Sequence, residues 1–140
     1  MKALVIDDEP ILRQLIKLNL ESLGLAVETS VNGAEAFGLL QRFDYDLVVS
    51  DINMPLMNGI QLYRLIAERL PHLTGRFVFC TGSGVEHEIF FKESNRPLLY
   101  KPFTLTDFKK AVACITGDVF FDRAAFGFQV LPGSMAKACA

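Results

Sequence analysis

Apolar positions along this chain fall into two alternating patterns. Short continuous runs, Lys2-Ala3-Leu4-Val5-Ile6, Leu47-Val48-Val49-Ser50, Phe77-Val78-Phe79-Cys80 and Leu98-Leu99-Tyr100, read as strands buried on both faces. Ala26 to Ser30 makes a further short strand. Between these runs the apolar residues recur at helical spacing. Pro10 suits the first turn of a helix whose stripe is Leu12, Ile16, Leu20 and Leu23, closed by Gly24. Asn32-Gly33 punctuates before a helix from about Ala34 to Gln41, and Ile60, Tyr63, Ile66, Ala67 and Leu70 form a third stripe ended by Pro71. Val85 to Glu93 has poor periodicity and reads as a short or loosely held helix. Thr104-Leu105-Thr106-Asp107 resembles a capping box, followed by a stripe of Leu105, Phe108, Val112 and Ile115 that Gly117 ends.

Strands alternating with helices through short loops imply right-handed crossovers and a three-layer α/β sandwich with a parallel sheet, five strands and five helices. At 140 residues the chain has room for one ordinary domain and a tail. We expect the domain to span residues 1 to 116 and residues 117 to 140 to form an apolar extension. Val119, Phe120, Phe121, Phe126, Phe128, Val130 and Leu131 make that extension too apolar for a disordered tail, so it should pack on its own domain, on a second copy or on a neighbouring domain.

Composition narrows the class. The net charge of −2 offers no basic field for nucleic acid, and no apolar run approaches bilayer length. Met1 leads straight into a strand, leaving no room for an export signal, so a cytoplasmic location is expected. Cys80, Cys114 and Cys139 fit neither a metal-ligand spacing nor an even disulfide set and read as reduced, mostly buried thiols.

The polar residues then gather in one place. Asp7 and Asp8 follow the first strand, Asp51 ends the third, Thr81 the fourth and Lys101 the fifth, so all share the carboxyl rim of the sheet, where open parallel sheets bind ligands. A lone aspartate after a strand is usually a turn former. Three carboxylates in one crevice repel, however, and a hard dication relieves them; Mg2+ fits best, with Mn2+ as an alternative. Ionised Asp51 beside such an ion can attack phosphorus, Lys101 supplies a cation, and the Thr81 hydroxyl with backbone donors near Gly82 can meet the equatorial oxygens. His72 and His87 lie in polar or turn contexts and read as surface residues.

Asp7-Asp8, Asp51 in Asp-Ile-Asn-Met-Pro-Leu-Met-Asn-Gly, Thr81 and Lys101-Pro102-Phe103 together resemble the response-regulator receiver domain of two-component signalling, in the CheY-like superfamily, from residue 2 to about 116. The resemblance implies a flavodoxin-like sheet in the order 2-1-3-4-5. It implies that Asp51 accepts a phosphoryl group from a phosphohistidine on a cognate histidine kinase or histidine phosphotransfer protein. Asp8, Asp51 and the backbone carbonyl of Asn53 would ligate Mg2+ directly, and Asp7 mainly through a water. Lys101 would pair with the phosphoryl oxygens, Thr81 would swing toward them, and Gly82 would offer its backbone. Asn53 and Ser83 would tune hydrolysis, and the Lys101-Pro102 bond would be cis. The molecule would act as a switch that phosphorylates and dephosphorylates itself rather than as a turnover enzyme, and its output would be contact with an as yet unidentified protein. A homodimer is open, and neither nucleic acid nor membrane is implied.

Two features depart from the family pattern. Leu98 stands where receivers often carry an aromatic residue, three positions before the lysine, and Tyr100 by strand alternation faces opposite to Leu99 and is no substitute. The interval from Thr81 to Lys101 is also short for the family. Two other readings stay open: a receiver fold working unphosphorylated as a scaffold, and a Mg2+-dependent phosphatase with an aspartyl intermediate. The second usually needs an aspartate two residues after the nucleophile, where this chain has Asn53.

Overall fold

The structure, a computed structural model, describes residues 1–82 and 88–116. The described residues form five strands and five α-helices in strict alternation: β1 Lys2–Ile6, α1 Pro10–Ser22, β2 Ala26–Ser30, α2 Gly33–Arg42, β3 Leu47–Asp51, α3 Gly59–Arg69, β4 Phe77–Thr81, α4 Glu88–Ser94, β5 Leu98–Tyr100 and α5 Leu105–Thr116. All strand pairs are parallel, in the order β2-β1-β3-β4-β5, as the resemblance implied. The expected Ser83 and His87 roles, and the tail from residue 117 to 140, lie outside the described residues.

Local chemistry sets the helix boundaries. Pro10 opens α1, and Gly24, with φ +91, turns the chain out after it in a region only glycine enters cheaply. The Asn32 side chain accepts the Glu35 amide at 2.8 Å and caps α2. At α3 the Asn58 side chain accepts the Gln61 amide while the Gln61 side chain accepts the Asn58 amide, a full capping box. The box expected at α5 is present in its Asp variant, with Thr104 and Asp107 exchanging bonds of 3.0 and 3.1 Å.

Strand alternation splits the core into two layers. Leu4, Ile6, Val48, Phe77, Phe79 and Leu98 face α2, α3 and α4, whereas Ala3, Val5, Leu47, Val49, Val78 and Leu99 face α1 and α5. Leu98 and Tyr100 share the first layer and Leu99 the second, as alternation required. The weakly patterned α4 is anchored by rings: Phe90 and Phe91 meet Phe79 edge-on at 5.7 and 5.4 Å, and Tyr63 of α3 meets Phe90 at 5.4 Å.

Three details differ from the sequence reading. A 3-10 segment, Pro71–Arg76, follows α3 where the sequence pattern shows only a proline stop, and its Leu73 enters the core. Leu105 and Ala67, assigned to buried stripes, are exposed; Leu105 is the first residue of α5, ahead of the turn that meets the sheet. Cys80 is a free buried thiol, but Cys114 is disulfide-bonded, a proximity that spacing along the chain does not reveal. Among the described residues no helix is long and apolar enough to cross a membrane.

Candidate functional site

Register brings the polar residues together. Ile6 pairs with Ser50, Asp51 with Cys80 and Thr81 with Tyr100, so the residues that leave β1, β3, β4 and β5 emerge side by side at one rim. Carboxylate oxygens of Asp7, Asp8 and Asp51 lie within 4.8 Å of one another. The Lys101 ammonium stands 3.3 Å from Asp51 Oδ2 and 3.6 Å from Asp7 Oδ2. Across the crevice the Asn53 side-chain amide donates to the Thr81 hydroxyl at 3.5 Å. Gly82 follows Thr81 and is exposed, and a Cβ there would meet nothing within 4 Å.

The two inner acids are held differently from the outer one. Asp7 and Asp51 are buried, at 1% and 5% exposure, while Asp8 is open to solvent. Asp7 Oδ1 accepts the Glu9 amide at 2.9 Å, which closes the turn after β1, and Asp7 Oδ2 is a buried oxygen without a hydrogen bond. Asp51 Oδ1 accepts the Asn53 amide at 3.3 Å. The Arg13 guanidinium, one turn into α1, donates to the Asp7 main-chain carbonyl at 2.7 Å, a contact the sequence reading missed. Its only signal in the sequence is a basic residue one helical turn beyond an acidic triplet.

Burial is the largest influence on both inner carboxyls and raises them above the ordinary carboxylate range. Lys101 pulls each back, and Asp7 and Asp51 repel. For Lys101 burial acts downward, but Asp51 and Asp7 outweigh it and hold the ammonium above its usual value. The crevice thus has an excess of negative charge, one buried oxygen without a donor, and an open entrance at Asp8. That donor set, all oxygen and mostly carboxylate, fits a hard dication such as Mg2+. Asp7, Asp8 and Asp51 are the residues that could hold one, with the lysine left beside them for an anion.

The Lys101-Pro102 bond is cis, as the resemblance implied. Leu98, in place of an aromatic residue, is buried in the layer facing α4.

A parallel α/β sandwich with acids and a lysine on its carboxyl rim defines the class, and comparison with known proteins gives the family. The family model described as the response regulator receiver domain matches residues 3–113. The sensor histidine kinase RcsC of Salmonella typhi is 34% identical over 124 residues, which cover 89% of this chain and 13% of RcsC. Among solved structures, chemotaxis protein CheY4 of Vibrio cholerae superposes with a TM-score of 0.73 at 27% identity, covering 81% of this chain and 97% of CheY4. The response regulator TrrA of Thermotoga maritima, solved in complex with Mg2+-BeF, gives the same TM-score, identity and coverage. The chain belongs to the response regulator receiver domain family. It spans only a small part of the curated relatives it matches.

Proposed function

We propose that this chain is a phosphoryl-accepting switch in which Asp51 takes a phosphoryl group from a phosphohistidine of a histidine kinase or histidine phosphotransfer protein. The observation that carries the reading is the convergence of Asp7, Asp8 and Asp51 within 4.8 Å, with Lys101 3.3 Å from Asp51. The Mg2+-BeF complex of TrrA and the similarity to a sensor histidine kinase support it. In this reading residues 1 to 116 are the receiver, residues 117 to 140 an apolar extension, and the chain works in the cytoplasm.

Asp8, Asp51 and the Asn53 carbonyl would hold Mg2+ directly and Asp7 through a water; bound there, the ion neutralises charge on the transferring oxygens. An Asp51 carboxylate oxygen attacks phosphorus, the O–P bond forms as the N–P bond of the donor breaks, and the imidazole leaves with its electron pair. Lys101 exchanges its pairing with Asp51 for one with the new phosphoryl oxygens. The Thr81 hydroxyl and the Gly82 amide donate to the same group, and Asn53 lines the path of the water that later hydrolyses it. Relocation of Thr81 and Lys101 reshapes the rim, and the output is altered contact with another protein.

The test is incubation with Mg2+ and acetyl phosphate, followed by intact-mass measurement. A labile phosphoryl adduct that is absent without Mg2+ and absent in Asp51→Asn supports the switch. Steady hydrolysis of many phosphate monoesters would identify a phosphatase instead, and no adduct under any condition would leave an unphosphorylated scaffold.

A further inference from the structure

The turn between β1 and α1 carries three consecutive acids, Asp7, Asp8 and Glu9, and two of them must point into the crevice. Asp7 is constrained at three places. Its amide donates to the Ser30 carbonyl at 3.2 Å, its Oδ1 accepts the Glu9 amide at 2.9 Å, and its carbonyl accepts Arg13 Nη1 at 2.7 Å. The second closes a turn whose ring contains the Asp7–Asp8 peptide, but neither of the first two bonds engages that peptide's carbonyl oxygen. The third does, because that carbonyl is the group Arg13 holds, which adds a side-chain restraint from α1 to the one the turn supplies. Once the carbonyl is turned toward α1, Asp7 Oδ2 faces Lys101 at 3.6 Å and Asp8 joins the carboxylate cluster. Arg13 is itself anchored by its helical amide bond to the Glu9 carbonyl at 2.9 Å and is only half-buried, so its guanidinium bridges the helix and the turn. A cation at that spot also offsets the mutual repulsion of the acidic triplet.

We propose that Arg13 is a positioning residue for the cation site, holding the Asp7 carbonyl so that Asp7 and Asp8 present their carboxylates to Mg2+. The inference rests on the metal-dependent reading above and extends it to a residue that touches neither metal nor phosphoryl group. Outer partners that orient ligands typically change metal affinity about 10–100-fold when removed, because the ligands must then be ordered at the expense of binding.

The test uses the full chain and titrates Mg2+ by calorimetry into wild type, Arg13→Met, which keeps the stem and loses the donors, and Arg13→Lys, which keeps charge and a donor. Arg13→Met should bind Mg2+ about tenfold more weakly or worse. Arg13→Lys should lie between it and wild type. The Mg2+ concentration giving half-maximal labelling by acetyl phosphate should rise in parallel, while the labelling rate at saturating Mg2+ stays within about twofold of wild type, a split that general damage to the fold would not produce. If Arg13→Met does not fold by circular dichroism, Arg13→Gln carries the same expectation. Wild-type Mg2+ affinity in the neutral variants, or Arg13→Lys as weak as Arg13→Met, would overturn the positioning role while leaving the proposed function intact. Absence of Mg2+ binding by wild type would remove both.

Discussion

Gly59 begins α3 so close to the strand end that a Cβ on it would lie 2.3 Å from the Asp51 carbonyl oxygen and 3.1 Å from the Ser50 hydroxyl. The helix is drawn there by the Gly59 amide, which donates to the Ile52 carbonyl at 2.9 Å, and by the Asn58–Gln61 capping box. Backbone, unlike the tip of a flexible side chain, cannot move aside cheaply. Gly59→Ala should therefore destabilise the fold by about 1–3 kcal/mol and displace Asp51. Urea denaturation gives the first quantity and the acetyl phosphate labelling rate the second. Gly75, where an added Cβ meets nothing within 4 Å, supplies the control.

Asp51 and Asp7 both have carboxyls raised by burial, with Lys101 opposing. The native state therefore holds their protons more tightly than the unfolded chain does. The sign follows: their contribution to stability is present in full below the ordinary carboxylate range and is lost as pH rises through the raised native values. Without divalent cations, thermal unfolding from pH 4 to 8 should show this loss. Asp51→Asn should reduce it and stabilise the metal-free protein at neutral pH by on the order of 1 kcal/mol. Mg2+ should raise the wild-type midpoint at neutral pH and do so much less in Asp51→Asn.

Removing Lys101 should act in the opposite sense to removing Asp51. Its ammonium is held above its ordinary value by Asp51 and Asp7 against burial, so its stabilising contribution is present below that ordinary value and lost only as pH rises through the higher native one. Lys101→Ala leaves two buried carboxylates to each other and should cost about 1–3 kcal/mol at neutral pH without metal. Adding Mg2+ should restore most of that stability but not the labelling rate, since the anion partner is gone. Denaturation with and without Mg2+ measures the first effect and labelling the second.

Much of this arrangement was legible in the sequence because strand ends are marked by residues with a definite chemistry. An apolar run ending in Asp51, Thr81 or Lys101 places that residue on the rim once the sheet is known to be parallel, and the register of Ile6 with Ser50 and of Thr81 with Tyr100 follows the same logic. What the sequence did not show are contacts between elements. The Arg13–Asp7 bond joins a helix side chain to a carbonyl six residues back, and nothing in composition distinguishes Arg13 from a solvated arginine. The segment Pro71–Arg76 was hidden because a 3-10 turn has too few residues to show a period. The ring cluster of Tyr63, Phe79, Phe90 and Phe91 was hidden because α4 has only seven residues, and its register on the sheet is set by packing rather than by its own pattern.

Asp8 separates metal binding from folding. It is exposed, makes none of the buried contacts of Asp7, and yet sits in the cluster of three carboxylates. Asp8→Asn should leave the midpoint of metal-free unfolding within about 0.5 kcal/mol of wild type. It should also abolish saturable Mg2+ binding in the millimolar range, because a neutral amide is a poor ligand for a hard dication. An unchanged Mg2+ isotherm would contradict its place among the ligands.

At the opposite end of the sheet Tyr45, completely buried, donates its hydroxyl to Glu28, and the Lys2 ammonium lies 2.6 Å from the same carboxylate and over the Phe43 and Tyr45 rings. Lys2 first, and Tyr45 second, lower the Glu28 carboxyl, so its contribution to stability is present at neutral pH and fades as pH falls through the depressed value. Glu28 is partly open to water, which screens the ion pair, and the buried hydroxyl matters more. Tyr45→Phe should therefore cost about 1 kcal/mol at pH 7 by urea denaturation. Because β1, β2 and β3 all run from this cluster toward the rim, the loss should leave Mg2+ affinity and the labelling rate of Asp51 unchanged. A change in either would show that the two ends of the sheet are energetically coupled.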